Sequence, residues 1–192
     1  IKIGLYGIGA VTDDVDACEV QAEQDIYALQ DDGCRLIIGY YHWGDNASTT
    51  VNEDQIQLAH AAVEAGCDLV LGSHPHLLQG IELYNNRYIV YSLSNFCYGG
   101  NDNPRDYDTM IFQQMFTFKD GQLVLDEASL KNVDIVPCSV SAKTTVNTYQ
   151  PTPLKSADVP DMVEKLNGYS EELEGGVVFR KKLNEYGCAA IK

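Results

Sequence analysis

The sequence predicts an α/β fold in which parallel strand–helix units come first and antiparallel hairpins follow. Between residues 2 and 72, short apolar runs alternate with longer amphipathic segments, the pattern of strands joined by crossover helices. After Pro75 the apolar runs are separated by Asn-Asn and Asp-Gly pairs, the pattern of hairpins. At 192 residues the chain is long enough for one domain with its own core.

Three strands and two helices are predicted for the first 72 residues. Gly33 and Gly66 follow the helical patterns, because glycine readily adopts the left-handed conformation that ends a helix. On the acidic first helix we expect Val20, Ile26 and Leu29 to face the core. Strands that alternate with helices form a largely parallel sheet through right-handed crossovers. The predicted elements are a strand at Lys2–Ile8, a helix at Asp13–Asp32, a strand at Arg35–Tyr41, a helix that begins with a capping box at Thr50 and Glu53, and a strand at Asp68–Gly72.

Hairpins and a helical stretch are predicted for the rest of the chain. Residues 143–160, rich in Thr, Ser and Pro, are expected to run over the surface, and residues 161–192 to form a helical region, with its helix around Asp161–Tyr186. We expect residues 1–192 to be the C-terminal portion of a single domain, because the opening strand has no initiator Met ahead of it. The predicted hairpins join Gln79–Tyr84 to Arg87–Ser92 through Asn85-Asn86, and Met110–Phe118 to Gln122–Val136 through Asp120-Gly121.

Charge and composition exclude several kinds of partner and site. The formal net charge is −15, from 13 Lys and Arg against 28 Asp and Glu, and such a field repels nucleic acid. Apolar runs such as Leu36–Tyr41 are far shorter than the roughly 20 residues of a membrane span. The six cysteines lie far apart without zinc-finger spacing, so they do not predict a cysteine metal site.

Three of the four histidines follow predicted strands. His42 follows the second strand, and His74 and His76 follow the third, so they should meet at one sheet edge. In extended backbone His74 and His76 point to the same side, and imidazole is a common ligand of zinc and iron. Their spacing alone leaves two interpretations open, a metal site or polar loop residues hydrogen-bonded to backbone. His60, inside the second helix, is expected to have no catalytic role.

Three segments resemble signature blocks of the CapA family of poly-γ-glutamate capsule biosynthesis proteins, in order and approximate spacing. The resemblance extends over roughly residues 1–170. Ser73 stands where the family usually has a histidine, and Ser94 where a glycine is usual. The segments are His42-Trp43-Gly44, Gly72-Ser73-His74-Pro75-His76 and Tyr91-Ser92-Leu93-Ser94-Asn95-Phe96.

The resemblance implies a fold related to calcineurin-like metallophosphoesterases, here half of an α/β/β/α sandwich with metal ions at the strand ends. It implies that His42, His74 and His76 are metal ligands, with zinc, manganese or iron as the divalent metal. A dinuclear site would need the missing N-terminal half of the domain, because neutral imidazoles supply no bridging negative charge. That half is therefore an expected partner.

Two functions follow as expectations. The first is metal-dependent, phosphoesterase-like hydrolysis in capsule synthesis, acting on a phosphoester or an anionic polymer, with His74 or a neighbour protonating the leaving group. Asn95 is expected either to donate to a substrate oxygen or to satisfy the backbone of a turn. The alternative is a non-catalytic cell-surface component that binds or routes an anionic polymer. Both imply a cell-envelope or extracellular location, anchored through an absent N-terminal segment. Trp43 is expected either to wall the pocket or to pack in the core, and Asp45 and Asp68 to be structural.

Overall fold

The first sheet of the computed structural model contains the parallel strands that the sequence predicts. Residues 1–10, 14–143 and 145–192 are described. The strands of this sheet are β1 (Ile3–Ala10), β2 (Leu36–Trp43), β3 (Leu69–Ser73), β4 (Ile81–Tyr84) and β5 (Arg87–Val90). Within the described residues the order is β1-β2-β3-β5-β4, with β4 antiparallel to β5 and the other neighbours parallel. The fold class is confirmed.

Helix α1 (Val15–Asp31) covers one face of this sheet. Its N-cap is Asp14, whose side chain accepts from the backbone N–H of residues 16 and 17, and the predicted start at Asp13 lies outside the described residues. Ile26 is buried as expected, but Val20 is 51% exposed, so its predicted inward orientation is wrong. The buried positions follow a four-residue spacing instead, and they are Cys18, Ala22 and Ile26.

Helix α2 (Glu53–Ala65) covers the same face. It ends at Gly66 as predicted, with φ 110° in the left-handed region. The predicted capping box is wrong by two residues. Asn52 is the N-cap, its side chain accepts from the backbone N–H of Gln55, and the Gln55 side chain accepts from the backbone N–H of Asn52. An amide pair thus fills the role expected of Thr50 and Glu53.

The second half of the chain is antiparallel, as predicted, but its strand partners differ. The Asn85-Asn86 turn between β4 and β5 has φ values of 46° and 61°, which confirms that hairpin. At Asp120-Gly121 the turn is also present, but the hairpin there joins only β7 (Phe118–Lys119) to β8 (Gln122–Leu123). The long strand β6 (Asp108–Gln114) pairs instead with β9 (Val133–Ser139), beyond the short helix α3 (Glu127–Leu130).

The C-terminal segment is mostly not helical. Strand β10 (Thr152–Pro153) pairs with β9, and helix α4 (Val159–Glu171) follows. The predicted helix to Tyr186 is too long. Helix α4 ends at Glu171, Gly175 lies against the Leu83 carbonyl, and Gly176 forms a bridge with Glu82. Strand β11 (Ala189–Ala190) closes the second sheet by pairing with β9.

Two hydrophobic cores lie on opposite faces of the first sheet. The first lies between the sheet and helices α1 and α2, and the second is shared by the other face, the β6–β9 sheet and α4. At the β1 edge that second face is uncovered, with Ile3 56% and Leu5 70% exposed. None of the helices in the described ranges has both the length and the apolar character that crossing a bilayer requires.

Candidate metal centre

Strands β2 and β3 bring the histidine segments to one edge of the sheet. The strands are parallel neighbours, and His42 near the end of β2 lies beside Ser73, the last residue of β3. His74 and His76 continue directly from β3. The two segments therefore leave the sheet side by side, as the strand order predicts.

The three imidazoles form a row along this edge. His42 Nε2 lies 3.1 Å from His74 Nδ1, and the two ring centroids are 4.7 Å apart. The His76 ring centroid lies 6.1 Å from the His74 centroid. The expected gathering of these rings at one sheet edge is thus present.

The backbone between His74 and His76 is not extended, contrary to the expectation that placed both side chains on the same side. His74 has φ 104° and His76 has φ 60°, both in the region that residues with side chains rarely adopt. The segment therefore turns at each histidine, and each ring meets a different neighbour. Non-glycine residues in this region are commonly found at functional sites, where the surrounding structure holds them.

Each outer imidazole is held by a neutral hydrogen-bonding group. Ser73 Oγ donates to the Tyr41 carbonyl at 3.2 Å and lies 3.4 Å from His42 Nδ1. On the other side, His76 Nδ1 donates to Asn95 Oδ1 at 2.7 Å, and the Asn95 amide lies 3.4 Å from the His76 carbonyl. These contacts assign the Nδ1 proton to His42 and His76. The Nε2 lone pair of His42 then accepts from the Nδ1–H of His74 at 3.1 Å, a contact that a bound cation would have to replace.

The local electrostatics favour neutral imidazole at the centre of the row. Burial and the neighbouring His42 and His76 rings lower the pKa of His74, and the nearby Asp45 carboxylate opposes this only in part. Asp45 is the charged group that acts on this ring, while its Oδ2 also accepts from the Asn52 amide at 3.3 Å. Neutral imidazole is the form that binds metal.

Two of the three imidazoles lie at a spacing that one divalent cation could share. Nitrogens that are both about 2.0–2.1 Å from one tetrahedral zinc lie roughly 3.3 Å apart, close to the 3.1 Å between His42 Nε2 and His74 Nδ1. However, in the described part of the chain no three His, Cys, Asp or Glu side chains meet in a geometry that holds a metal ion. His76 would have to move toward His74 to complete a set of three. Asp45 is close enough to act on the pKa of His74, but within the described residues it does not complete such a group.

Other candidates lie apart from this row. His60 packs flat on Tyr84 with ring centroids 3.6 Å apart, and its Nε2 lies 3.1 Å from the buried Glu82 carboxylate. Asp68 accepts from the backbone N–H of Ile37 and from Arg87, both at 2.9 Å, so it links strand starts at the opposite end of the sheet. These contacts give both residues structural roles.

Trp43 packs in the core and does not wall a pocket. It is 1% exposed, and its indole N–H donates to the Tyr91 carbonyl at 2.9 Å. Its ring stacks between Tyr41 and Tyr91, with centroid distances of 4.5 and 5.9 Å. The residue after His42 is therefore fixed, which also fixes the end of β2.

Two residues of the site were not predicted as functional. Ser73 was noted only as a departure from a family pattern, yet it contacts the His42 ring. Arg105 lies beside His76 in the lining of one cavity, although the two residues are far apart in sequence. In the sequence, Arg105 could have been noticed because it is a single cation in the polar segment that follows Asn95.

Comparisons with known proteins agree on one family. Residues 7–99 match the family model described as "Bacterial capsule synthesis protein PGA_cap". The chain is 43% identical over 63 residues to the PGA biosynthesis protein CapA of Bacillus subtilis, which is 33% of this chain and 17% of that protein. It is 33% identical over 109 residues to the capsule biosynthesis protein CapA of Bacillus anthracis, which is 55% of this chain and 23% of that protein. The aligned regions thus span less than a quarter of either relative.

Proposed function

Because this chain belongs, through residues 7–99, to the bacterial capsule synthesis protein family PGA_cap, we propose that it forms part of a protein of poly-γ-glutamate capsule biosynthesis. The names of the Bacillus relatives support this biological setting. A capsule role places the protein at the cell envelope. The preceding half of the domain and an anchoring segment ahead of it belong to the same proposal, since the aligned regions span 17% and 23% of those relatives.

We further propose that the histidine row binds a divalent cation, zinc, manganese or iron, and supports phosphoester hydrolysis. The observation that carries this proposal is the 3.1 Å approach of His42 Nε2 to His74 Nδ1 at the carboxyl ends of two parallel strands. A bound cation would polarise a phosphoryl oxygen. Ser73 orients the His42 ring, and Asn95 orients the His76 ring, so both act as positioning residues.

We also expect His74 to protonate the leaving group and Asn95 to donate to a substrate oxygen. The contacts and the pKa of these residues bear on both expectations. The lowered pKa of His74 favours the neutral ring, which makes it a better ligand than proton donor at neutral pH. Asn95 already accepts from His76 at 2.7 Å, and its amide nitrogen faces the His76 carbonyl. The roles of His74 as an acid and of Asn95 as a donor to substrate stay predictions.

The test combines elemental analysis with turnover. The purified chain is loaded with zinc, manganese or iron, dialysed, and assayed for bound metal and for hydrolysis of p-nitrophenyl phosphate and bis-p-nitrophenyl phosphate. We expect His42→Ala and His74→Ala to lower the amount of bound metal at least tenfold. His60→Gln should leave the amount of bound metal unchanged, because His60 Nε2 contacts Glu82. Equal metal content in all three variants would refute the site.

The same measurements test the non-catalytic alternative, a component that binds or routes an anionic polymer. If the loaded chain binds one metal ion but hydrolyses neither substrate, also when joined to the preceding half of the domain, the binding role is the better explanation.

A further inference from the structure

A second feature of this edge is a polar cavity beside the histidine row. It has a volume of about 270 Å³ and shares His76 and Asn95 with the row. The Tyr98 ring lies 5.0 Å from the His76 ring, centroid to centroid, and forms one side. Amide side chains and one guanidinium complete the polar lining, from Asn46, Asn101 and Arg105.

The wall formed by residues 98–102 is held in place from outside the cavity. The buried Asn147 side chain donates to the carbonyls of Asn101 at 3.1 Å and Tyr98 at 3.4 Å. Its backbone N–H donates to the Asp102 carbonyl at 2.8 Å, and the Tyr149 hydroxyl contacts the Asp102 carboxylate. The opposite wall is tied to the histidine segment, because the backbone N–H of Ala47 donates to the Pro75 carbonyl at 2.9 Å. The cavity is therefore built from anchored segments.

Arg105 is the charged residue of this lining. Its guanidinium contacts the Ala47 carbonyl at 3.4 Å, and no ion pair joins it to a carboxylate of the described chain. The adjacent Asp106 is engaged elsewhere, by Lys165 at 2.7 Å. In a chain of net charge −15, a guanidinium without a carboxylate partner next to amide donors is suited to binding an external anion.

We propose that this cavity is an oxyanion subsite, in which Arg105 and the amides of Asn46 and Asn101 bind a carboxylate or phosphate group of the substrate. The subsite would place that group next to His76, so the adjoining bond of the ligand would lie toward the histidine row. It would also select negatively charged ligands despite the negative field of the chain. The identity of the substrate rests on the proposed function, but the binding of an oxyanion needs no metal.

The experiment measures anion binding to the metal-free chain by calorimetry, in the presence of a chelator. Two probes distinguish carboxylate binding from phosphate binding. A γ-linked glutamate tetramer supplies carboxylates, and inorganic phosphate supplies the phosphate group. We expect at least one probe to bind, and Arg105→Gln to lower the affinity for that probe at least tenfold. Arg180→Gln, at an exposed arginine of the C-terminal segment, should leave the affinity unchanged. Arg105→Lys should keep part of the affinity for the bound probe, because lysine retains the charge but lacks the planar fork.

The outcomes separate this proposal from the proposed function. Binding that depends on Arg105 supports the subsite even if no variant hydrolyses a phosphoester. Binding with the same affinity in the Arg105→Gln variant, or no binding of either probe by the unchanged chain, overturns it. Circular dichroism of each variant verifies that the fold is retained.

Discussion

Single residues at the rim of the first sheet are constrained by backbone geometry as much as by side-chain chemistry. His74 and His76 adopt positive φ, and Gly72 just before them lies against the Trp43 indole nitrogen and the Tyr91 carbonyl. A Cβ atom at residue 72 would overlap both. The hydrogen bond that fixes Trp43 and the placement of the histidine segment thus depend on the same glycine.

Gly72→Ala should destabilise the protein and disturb the site. Because the new methyl group meets backbone that cannot move freely, we expect a loss of about 1–3 kcal/mol in the free energy of unfolding. Urea unfolding followed by circular dichroism measures it. Gly9→Ala is the matched control, since a Cβ atom there meets nothing within 4 Å and should change stability little. Equal stability of the two variants would contradict the expected overlap.

The histidine row could be predicted from the sequence because it depends on strand order alone. Side chains that follow adjacent parallel strands meet at one edge, whatever the details of the loops. The partners of those rings could not be predicted in the same way. Arg105 lines the same cavity as His76 through a loop that Asn147 holds at Tyr98 and Asn101. The orientation of His74 depends on a φ value that favours glycine.

At the scale of elements, helix α2 connects the core to the loops of the site. Its cap residue Gln55 donates to Gln79 at 2.9 Å, and the Gln79 amide donates to the carbonyls of Thr50 at 3.0 Å and Ser48 at 3.3 Å. Gln79 is fully buried. The start of the helix therefore joins the loop after His42 to the loop after His76, so both histidine segments depend on this cap.

Asn52→Ala should weaken the helix at this point. It removes the acceptor for the Gln55 backbone N–H, and we expect the free energy of unfolding to fall by about 1 kcal/mol. Asn52→Ser retains an acceptor and should lose much less. Thermal unfolding of both variants measures the difference, and hydrogen exchange should report faster opening of residues 48–50 in the alanine variant. A stability loss that is the same in both variants would argue against the cap.

Local pattern predicted the elements whose partners are close in sequence and failed for those whose partners are distant. The hairpin at Asn85-Asn86 is specified by its own turn residues. In contrast, β6 pairs with β9 across the intervening β7–β8 hairpin and α3, and nothing within β6 specifies that partner. Helix α4 ends early, where Gly175 lies against the Leu83 carbonyl and Gly176 forms a bridge with Glu82, and these are tertiary contacts.

At the scale of the whole molecule, an apolar edge and a large negative charge act against each other. Strand β1 ends the first sheet, and its exposed Ile3 and Leu5 lie on the same face as Tyr40, which is 48% exposed. An uncovered edge strand with an apolar face promotes association between chains. The net charge of −15 opposes it, and salt screens that repulsion.

We therefore expect this chain to self-associate reversibly, and more strongly as the salt concentration rises. The double substitution Ile3→Thr and Leu5→Thr should abolish the association, because it makes the face polar while keeping strand propensity. Val20→Thr, at an exposed apolar position on α1, is the control and should associate like the unchanged chain. Sedimentation velocity measures both, and association that persists in the double variant would exclude this face as its cause.

The stacking of Tyr41, Trp43 and Tyr91 has an optical consequence for any study of this protein. Trp43 is the sole tryptophan of the chain, its ring centroid lies 4.5 and 5.9 Å from those of two tyrosines, and the residue before it is His42. Light absorbed by those phenols passes efficiently to the indole at such separations. The emission of one fluorophore therefore monitors the ring next to the candidate ligands, and titrations of ions or anions can be followed without a label.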